Sequence, residues 1–107
     1  MIVYEVNVEV DRAIADAYRA WLTPHVAEIL ALPGFTGATV FERLDPPAPD
    51  GRVAISMHYR LRDRAALDAY LRDHAPRLRA DGVARFGGRF DATRRVLQTT
   101  REAASRP

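Results

Sequence analysis

Polar and apolar residues alternate with a period of two in the first stretch of the chain. Ile2, Tyr4, Val6, Val8 and Val10 point one way, and Glu5, Asn7 and Glu9 point the other. That is the signature of a half-buried strand. The same alternation returns at 52–61, where Val53, Ile55, Met57, Tyr59 and Leu61 oppose Ala54, Ser56, His58 and Arg60. Two further strands are predicted over 35–44 and 90–98. Between them the period lengthens to that of a helix. Ile14, Tyr18, Trp21, Leu22, His25, Ile29 and Leu32 form one apolar stripe, and Leu67, Tyr70, Leu71, His74, Ala75 and Leu78 form another. Asp11 and Asp63 stand where side-chain caps are expected. Pro24 and Pro76 each fall inside a stripe, so a kink or restart is expected at both, with Thr23 as a local cap at the first. Leu-Pro-Gly at 32–34 ends the first helix, DPPAPDG at 45–51 makes a hairpin loop, and Asp81-Gly82 with Gly87-Gly88 predicts a turn region.

The predicted order is β-α-β-β-α-β. It implies an α+β, ferredoxin-like fold in which two helices cover one face of a four-stranded antiparallel sheet. The phrase Asp-Ala-Tyr opens both helical stripes, at 16–18 and 68–70, marking the same place in two pseudo-equivalent halves. Residues 1–98 make the single domain expected of 107 residues, with 99–107 a polar tail. The sheet's other face would present Glu5, Asn7, Glu9, Ser56, His58 and Arg60 beside Val3 and Ala54. A mixed face of this kind is suited to a second copy packed sheet to sheet, so a homodimer is the expected assembly.

Composition narrows the chemistry. With no cysteine there is no disulfide, thiolate ligand or cysteine nucleophile. The first residues do not read as a signal peptide, and the stretch from Val26 to Leu32 is too short to span a bilayer. A cytoplasmic protein with no membrane partner is expected. All sixteen basic residues are arginine. Residues 1–59 hold four of them against eight acids, whereas residues 60–107 hold twelve against six. The basic half is interleaved with Asp63, Asp68, Asp73, Asp81 and Asp91 and lacks exposed aromatic residues, so no nucleic-acid partner is expected.

The frame DAYxxWLxxHVxxILxLPGF, then HYRLRDRAALDAYLRDHAPRLRADGVARFG and FDATRRVL, resembles a small uncharacterised bacterial family, a domain of unknown function. That family in turn resembles the dimeric α+β-barrel superfamily, which includes antibiotic-biosynthesis monooxygenases, EthD-like proteins, muconolactone isomerases and haem-degrading monooxygenases. The resemblance implies a homodimer with one small pocket per subunit, between helices and sheet. It does not imply one reaction, because the superfamily hosts several.

The predicted faces gather polar-tipped aromatic residues in the layer between helices and sheet. Tyr4 and Tyr59 come from strands, Tyr18, Trp21 and His25 from the first helix, and Tyr70 and His74 from the second. A layer built for packing alone would favour Leu, Ile, Val and Phe, since each unpaired buried polar group costs about 1–3 kcal/mol. Convergent polar groups in apolar walls are the profile of a small-molecule site. The candidate acid–base residue is His74, then His25, each beside a helix break. Tyr70 or Tyr18 would hold or protonate a substrate oxygen, Trp21 would stack on a flat ring, and Tyr4, Tyr18, Trp21 and Tyr59 would line the site. Two functions fit: a cofactor-independent monooxygenase- or isomerase-like enzyme acting on a small aromatic or polyketide-like ligand, or a non-catalytic ligand-binding or structural homodimer. The first requires a solvent-reached cavity of a few hundred Å³; the second requires close packing with every tyrosine hydroxyl paired. No cofactor and no metal is expected. Haem enters as a minor alternative only because haem-degrading relatives resemble the chain in an Asn on the first strand (Asn7) and a His on the second helix (His74).

Overall fold

Strand β1 (Ile2–Asp11) lies at the centre of a four-stranded sheet, with β3 (Arg52–Leu61) on one side and β4 (Phe90–Gln98) on the other. Strand β2 (Phe35–Glu42) pairs with the far side of β3, giving the order β2-β3-β1-β4 with every neighbouring pair antiparallel. This computed structural model describes residues 1–106. The register sets Tyr4 opposite Tyr59 on β3 and Val96 on β4, so the central rows of the sheet carry aromatic rings towards the helices. Helices α1 (Ala15–Leu30), α2 (Arg64–Asp73) and α3 (Ala75–Phe86) cover that face. The core lies between, where Val10, Leu61 and Leu67 are fully buried and Ile29, Met57 and Leu78 nearly so. Each such aliphatic side chain contributes roughly 1.5–3 kcal/mol through burial. The ferredoxin-like architecture is therefore as the alternation implied, except that the second helical layer is two helices rather than one.

Proline chemistry explains that exception, and the two prolines behave differently. Pro76 has no N–H to give to the carbonyl four residues back, so α2 stops at Asp73 and a new helix begins at Ala75, with Pro76 in the first turn where no donor is needed. His74 is the joint, with backbone angles of −129° and −36°. Pro24 causes no restart: α1 is continuous from Ala15 to Leu30. Both Pro24 and Ala20, whose carbonyl loses its partner, are exposed, so water can take that bond. Thr23 is accordingly not a cap; its hydroxyl donates back to the Arg19 carbonyl at 3.4 Å.

Three further expectations are corrected. Asp11 does not cap the first helix, which is reached through a 3-10 turn at Arg12–Ile14; its carboxylate instead meets Arg89 at 2.8 Å and Arg52 at 3.4 Å. Asp63 does cap, accepting from the Ala66 amide at 2.9 Å. Asp81-Gly82 is not a turn, because α3 runs through it to Phe86. Gly82 is there for contact: an added Cβ would lie 3.2 Å from Trp21 Cη2. Strand β2 also ends at Glu42, two residues short of the predicted Leu44.

The outer face of the sheet is a paired polar network. Glu5, only 4 % exposed, is held by Arg95 through both carboxylate oxygens, by Asn7 Nδ2 at 2.8 Å and by His58 Nε2 at 3.2 Å. Ser56 Oγ donates to Asn7 Oδ1, and Arg43 reaches Glu9 at 3.1 Å. The Arg95 guanidinium, more than the other partners, holds the Glu5 carboxyl down at about 2.

Candidate functional site

The helix-facing side of β1 and β3 supplies Tyr4, Val6, Val8, Met57 and Tyr59 to a cavity of about 60 Å³ that opens partly to solvent. Tyr18, Trp21, Leu22, His25 and Ile29 enter it from α1, and Tyr70 from α2. Leu78, Arg79 and Gly82 on α3 and Phe90, Ala92 and Arg94 on β4 close the remaining side. Six of the seven expected residues thus meet around one space: Tyr4, Tyr18, Trp21, His25, Tyr59 and Tyr70. The seventh, His74, does not line it. The break that was expected to bring His74 to a cavity mouth takes it out of the helical stripe instead. Its ring is half-buried at the α2–α3 joint, with Nδ1 3.4 Å from Arg77 Nη2.

Two aromatic groups form the walls. In one, Tyr4 lies 6.3 Å from Tyr59 and 5.9 Å from Tyr70, ring centre to ring centre, and Phe35 packs edge-on against Tyr70 at 5.1 Å. In the other, Tyr18 lies between Trp21 at 5.5 Å, Phe86 at 5.2 Å and Phe90 at 5.7 Å. The one-turn spacing of Trp21 and His25 stacks their rings at 4.3 Å. Trp21 is anchored at its far edge, where Nε1 donates to Asp81 at 3.2 Å.

Hydrogen bonding differs among the tyrosines of this layer. Tyr4 Oη accepts from Arg79 Nη2 at 2.8 Å. Among the described residues no group bonds the hydroxyls of Tyr18, Tyr59 or Tyr70, and His25 Nδ1 is a buried side-chain atom left without a partner. All three residues line the cavity. Burial raises the Tyr18 and Tyr70 phenols to about 12, against opposing charge from Arg94 on both. Burial raises Tyr59 further, reinforced by its neighbours Tyr70, Tyr18 and Tyr4. His25 moves the other way: burial lowers its pKa, outweighing the nearby charges of Glu28 and Asp81. Its ring is therefore neutral at pH 7, the form a general base needs.

Two cavity residues, Arg79 and Arg94, were missed by the pattern of the helical stripes. For Arg94 a signal existed: Phe90, Ala92, Arg94 and Val96 alternate towards the helices, opposite Val10, Val8, Val6 and Tyr4. Arg79 had none, because it borders the stripe and enters the site through its long side chain.

The two residues of the haem alternative are not brought together. Asn7 is bonded into the outer-face network with Glu5 and Ser56, while His74 lies on the helical side, outside the cavity lining. Among the described residues no three His, Asp or Glu side chains cluster as metal ligands. No helix among them is long and apolar enough to cross a membrane.

Residues 1–100 match the family model of a domain of unknown function, DUF4286. The chain belongs to that family. No curated protein matches it in sequence. Among solved structures, a Deinococcus radiodurans protein predicted to be an antibiotic biosynthesis monooxygenase is similar over 100 % of both chains, at 13 % identity and a TM-score of 0.76. SnoaB, a cofactor-independent oxygenase from Streptomyces nogalater solved as a point mutant, is similar over 97 % of this chain and 98 % of its own, at 13 % identity and 0.68. A de novo designed protein, Foldit4, is similar over 92 % and 97 %, at 14 % identity and 0.64. The fold is thus that of the antibiotic-biosynthesis-monooxygenase group, as the sequence resemblance implied. A shared fold does not carry an activity with it.

Proposed function

We propose that this DUF4286 protein binds a small molecule in the aromatic cavity and acts on it without a cofactor, as a monooxygenase- or isomerase-like enzyme with His25 as the base. The observation that carries the reading is the set of unclaimed polar groups around one space: three tyrosine hydroxyls and a neutral, unpartnered imidazole. Interior polar groups without partners cost stability, and a ligand that satisfies them offsets that cost. His25 abstracts a proton from a ring hydroxyl or from carbon beside a carbonyl. Trp21 stacks on the flat substrate, and Tyr70 or Tyr18 donates to the oxygen where negative charge develops. High phenol pKa values keep these tyrosines protonated, as donors must be. SnoaB, a cofactor-independent oxygenase, lends support at the level of fold. A homodimer formed through the outer sheet face is part of the reading, supported by the polar and apolar mixture exposed there.

The cavity volume of about 60 Å³ favours a second reading, a ligand-binding or structural dimer without catalysis. It holds a few waters at most, below the few hundred Å³ of a drug-sized site. A His25→Gln variant separates the two. With a small-molecule panel under air, the enzyme reading predicts turnover by the wild-type protein and a loss of about 10²–10⁴-fold in the variant. Binding of a panel compound with equal, undetectable turnover in both proteins favours the second reading.

A further inference from the structure

The cavity's charge selects its ligand. No Asp or Glu lines it, whereas two arginines do, Arg79 from α3 and Arg94 from β4. Both are exposed residues at the rim, on either side of the gap between α3 and the edge strand. Neither forms an ion pair among the described residues, although Arg43, Arg52 and Arg95 elsewhere on the sheet each hold a carboxylate. Arg79 spends one donor on Tyr4 Oη and has four left. The charges of both act on the Tyr70 phenol, another group in the cavity wall. Tyr18, Tyr59 and Tyr70 add three phenols to the lining. The site therefore presents a surplus of donors and positive charge, with His25 as its one uncharged base.

Resting on the pocket reading above, we infer that the ligand is a small organic carboxylate, its acid group held between Arg79 and Arg94 at the α3–β4 gap and its apolar body against Val6, Leu22, Ile29 and Met57. A carboxylate offers two planar acceptor oxygens, which match guanidinium donors with charge-assisted bonds about twice as strong as neutral ones. An uncharged isostere forfeits that gain and leaves both cations without a counter-charge. Held this way, the carboxylate also orients the ligand: its body points inward, towards the stacked Trp21–His25 pair.

Trp21 is the only tryptophan and forms part of the wall, so its fluorescence and its indole N–H resonance report occupancy without a known reaction. The test titrates the purified full-length protein with two matched pairs, butyrate against butyramide and benzoate against benzamide. The expected result is a carboxylate dissociation constant at least about tenfold below that of the amide in one pair or both. Arg94→Gln should abolish that preference, and Arg79→Gln, a second variant in case the first folds poorly, should reduce it. Arg64→Gln should keep it, since Arg64 pairs with Asp68 on the surface of α2. Equal binding of acid and amide, or an undiminished preference in both arginine variants, overturns the carboxylate assignment and leaves the pocket standing. No response of Trp21 to any of the four compounds overturns the assignment and the pocket reading together.

Discussion

The two faces of one sheet treat polar groups in opposite ways. On the outer face Glu5, Asn7, Ser56, His58 and Arg95 satisfy one another, and a carboxylate that is almost wholly buried keeps its charge because its neighbours hold it. On the inner face, one residue along the same strands, Tyr59 and the helical Tyr18, Tyr70 and His25 are set into the core layer and receive less from the protein. Alternation in β1 and β3 puts these two populations back to back. A face that completes its own hydrogen bonds is finished, either as surface or as an interface. A face that leaves donors and acceptors unclaimed around a void is finished only by something that enters it.

The largest expected effect tests the outer face as an interface. Ser56→Arg places an unpaired charge at the centre of the face, beside Asn7, and should convert a dimer to monomer in sedimentation velocity at micromolar protein. A wild-type protein that sediments as a monomer removes the interface and leaves the face as surface.

Next comes the Glu5 network. Its pKa in the folded protein, about 2, lies below the ordinary 4.5, so its contribution to stability is complete above pH 4.5 and is lost as pH falls towards 2. A difference of that size would be about 3 kcal/mol, but Arg95 is 68 % exposed and solvent screens it, so about 2 kcal/mol is expected. Glu5→Gln should lose that amount at pH 7, and the gap between wild type and variant in denaturant melts should close between pH 4.5 and 2. A gap that stays constant with pH would show that the network is not what holds this face.

The smallest effect concerns the inner face. Gly82→Ala gains helix propensity worth up to about 1 kcal/mol, while the new methyl presses on Trp21 at 3.2 Å. The two should nearly cancel, within about 0.5 kcal/mol, with a changed Trp21 emission. A clear stabilisation with unchanged emission would mean that Trp21 is not fixed against α3.

Much of this contrast was legible in the sequence, because it rests on period two. Alternation alone put Tyr4 and Tyr59 inward and Glu5, Asn7, Ser56 and His58 outward, and helical spacing put Tyr18, Trp21, His25 and Tyr70 opposite the first pair. What was not legible were the interruptions. Pro24 and Pro76 look alike in sequence and act differently in the fold: α1 runs on through Pro24, whereas the helix restarts at Ala75, just before Pro76. His74, at the restart, stands outside the cavity lining. Gly82 looked like a turn because its purpose, room for a tryptophan from another helix, depends on a contact with Trp21, far back along the chain. Arg79 and Arg94 were passed over because charged residues are ordinarily read as surface, whereas long side chains can place their charge at a cavity from its rim.

The central claim is that the inner tyrosine hydroxyls serve a ligand and not the fold, and Tyr59 tests it most directly because it is the most buried of the tyrosines, at 1 % exposure. The measurement is the melting midpoint of Tyr59→Phe against wild type at pH 7. Removing a hydroxyl that no protein group uses should change stability by no more than about 0.5 kcal/mol in either direction, a shift within about 4 °C for a domain of this size. A hydroxyl bonded inside a close-packed core would cost about 1–3 kcal/mol on removal. A fall of more than about 8 °C would therefore contradict the account.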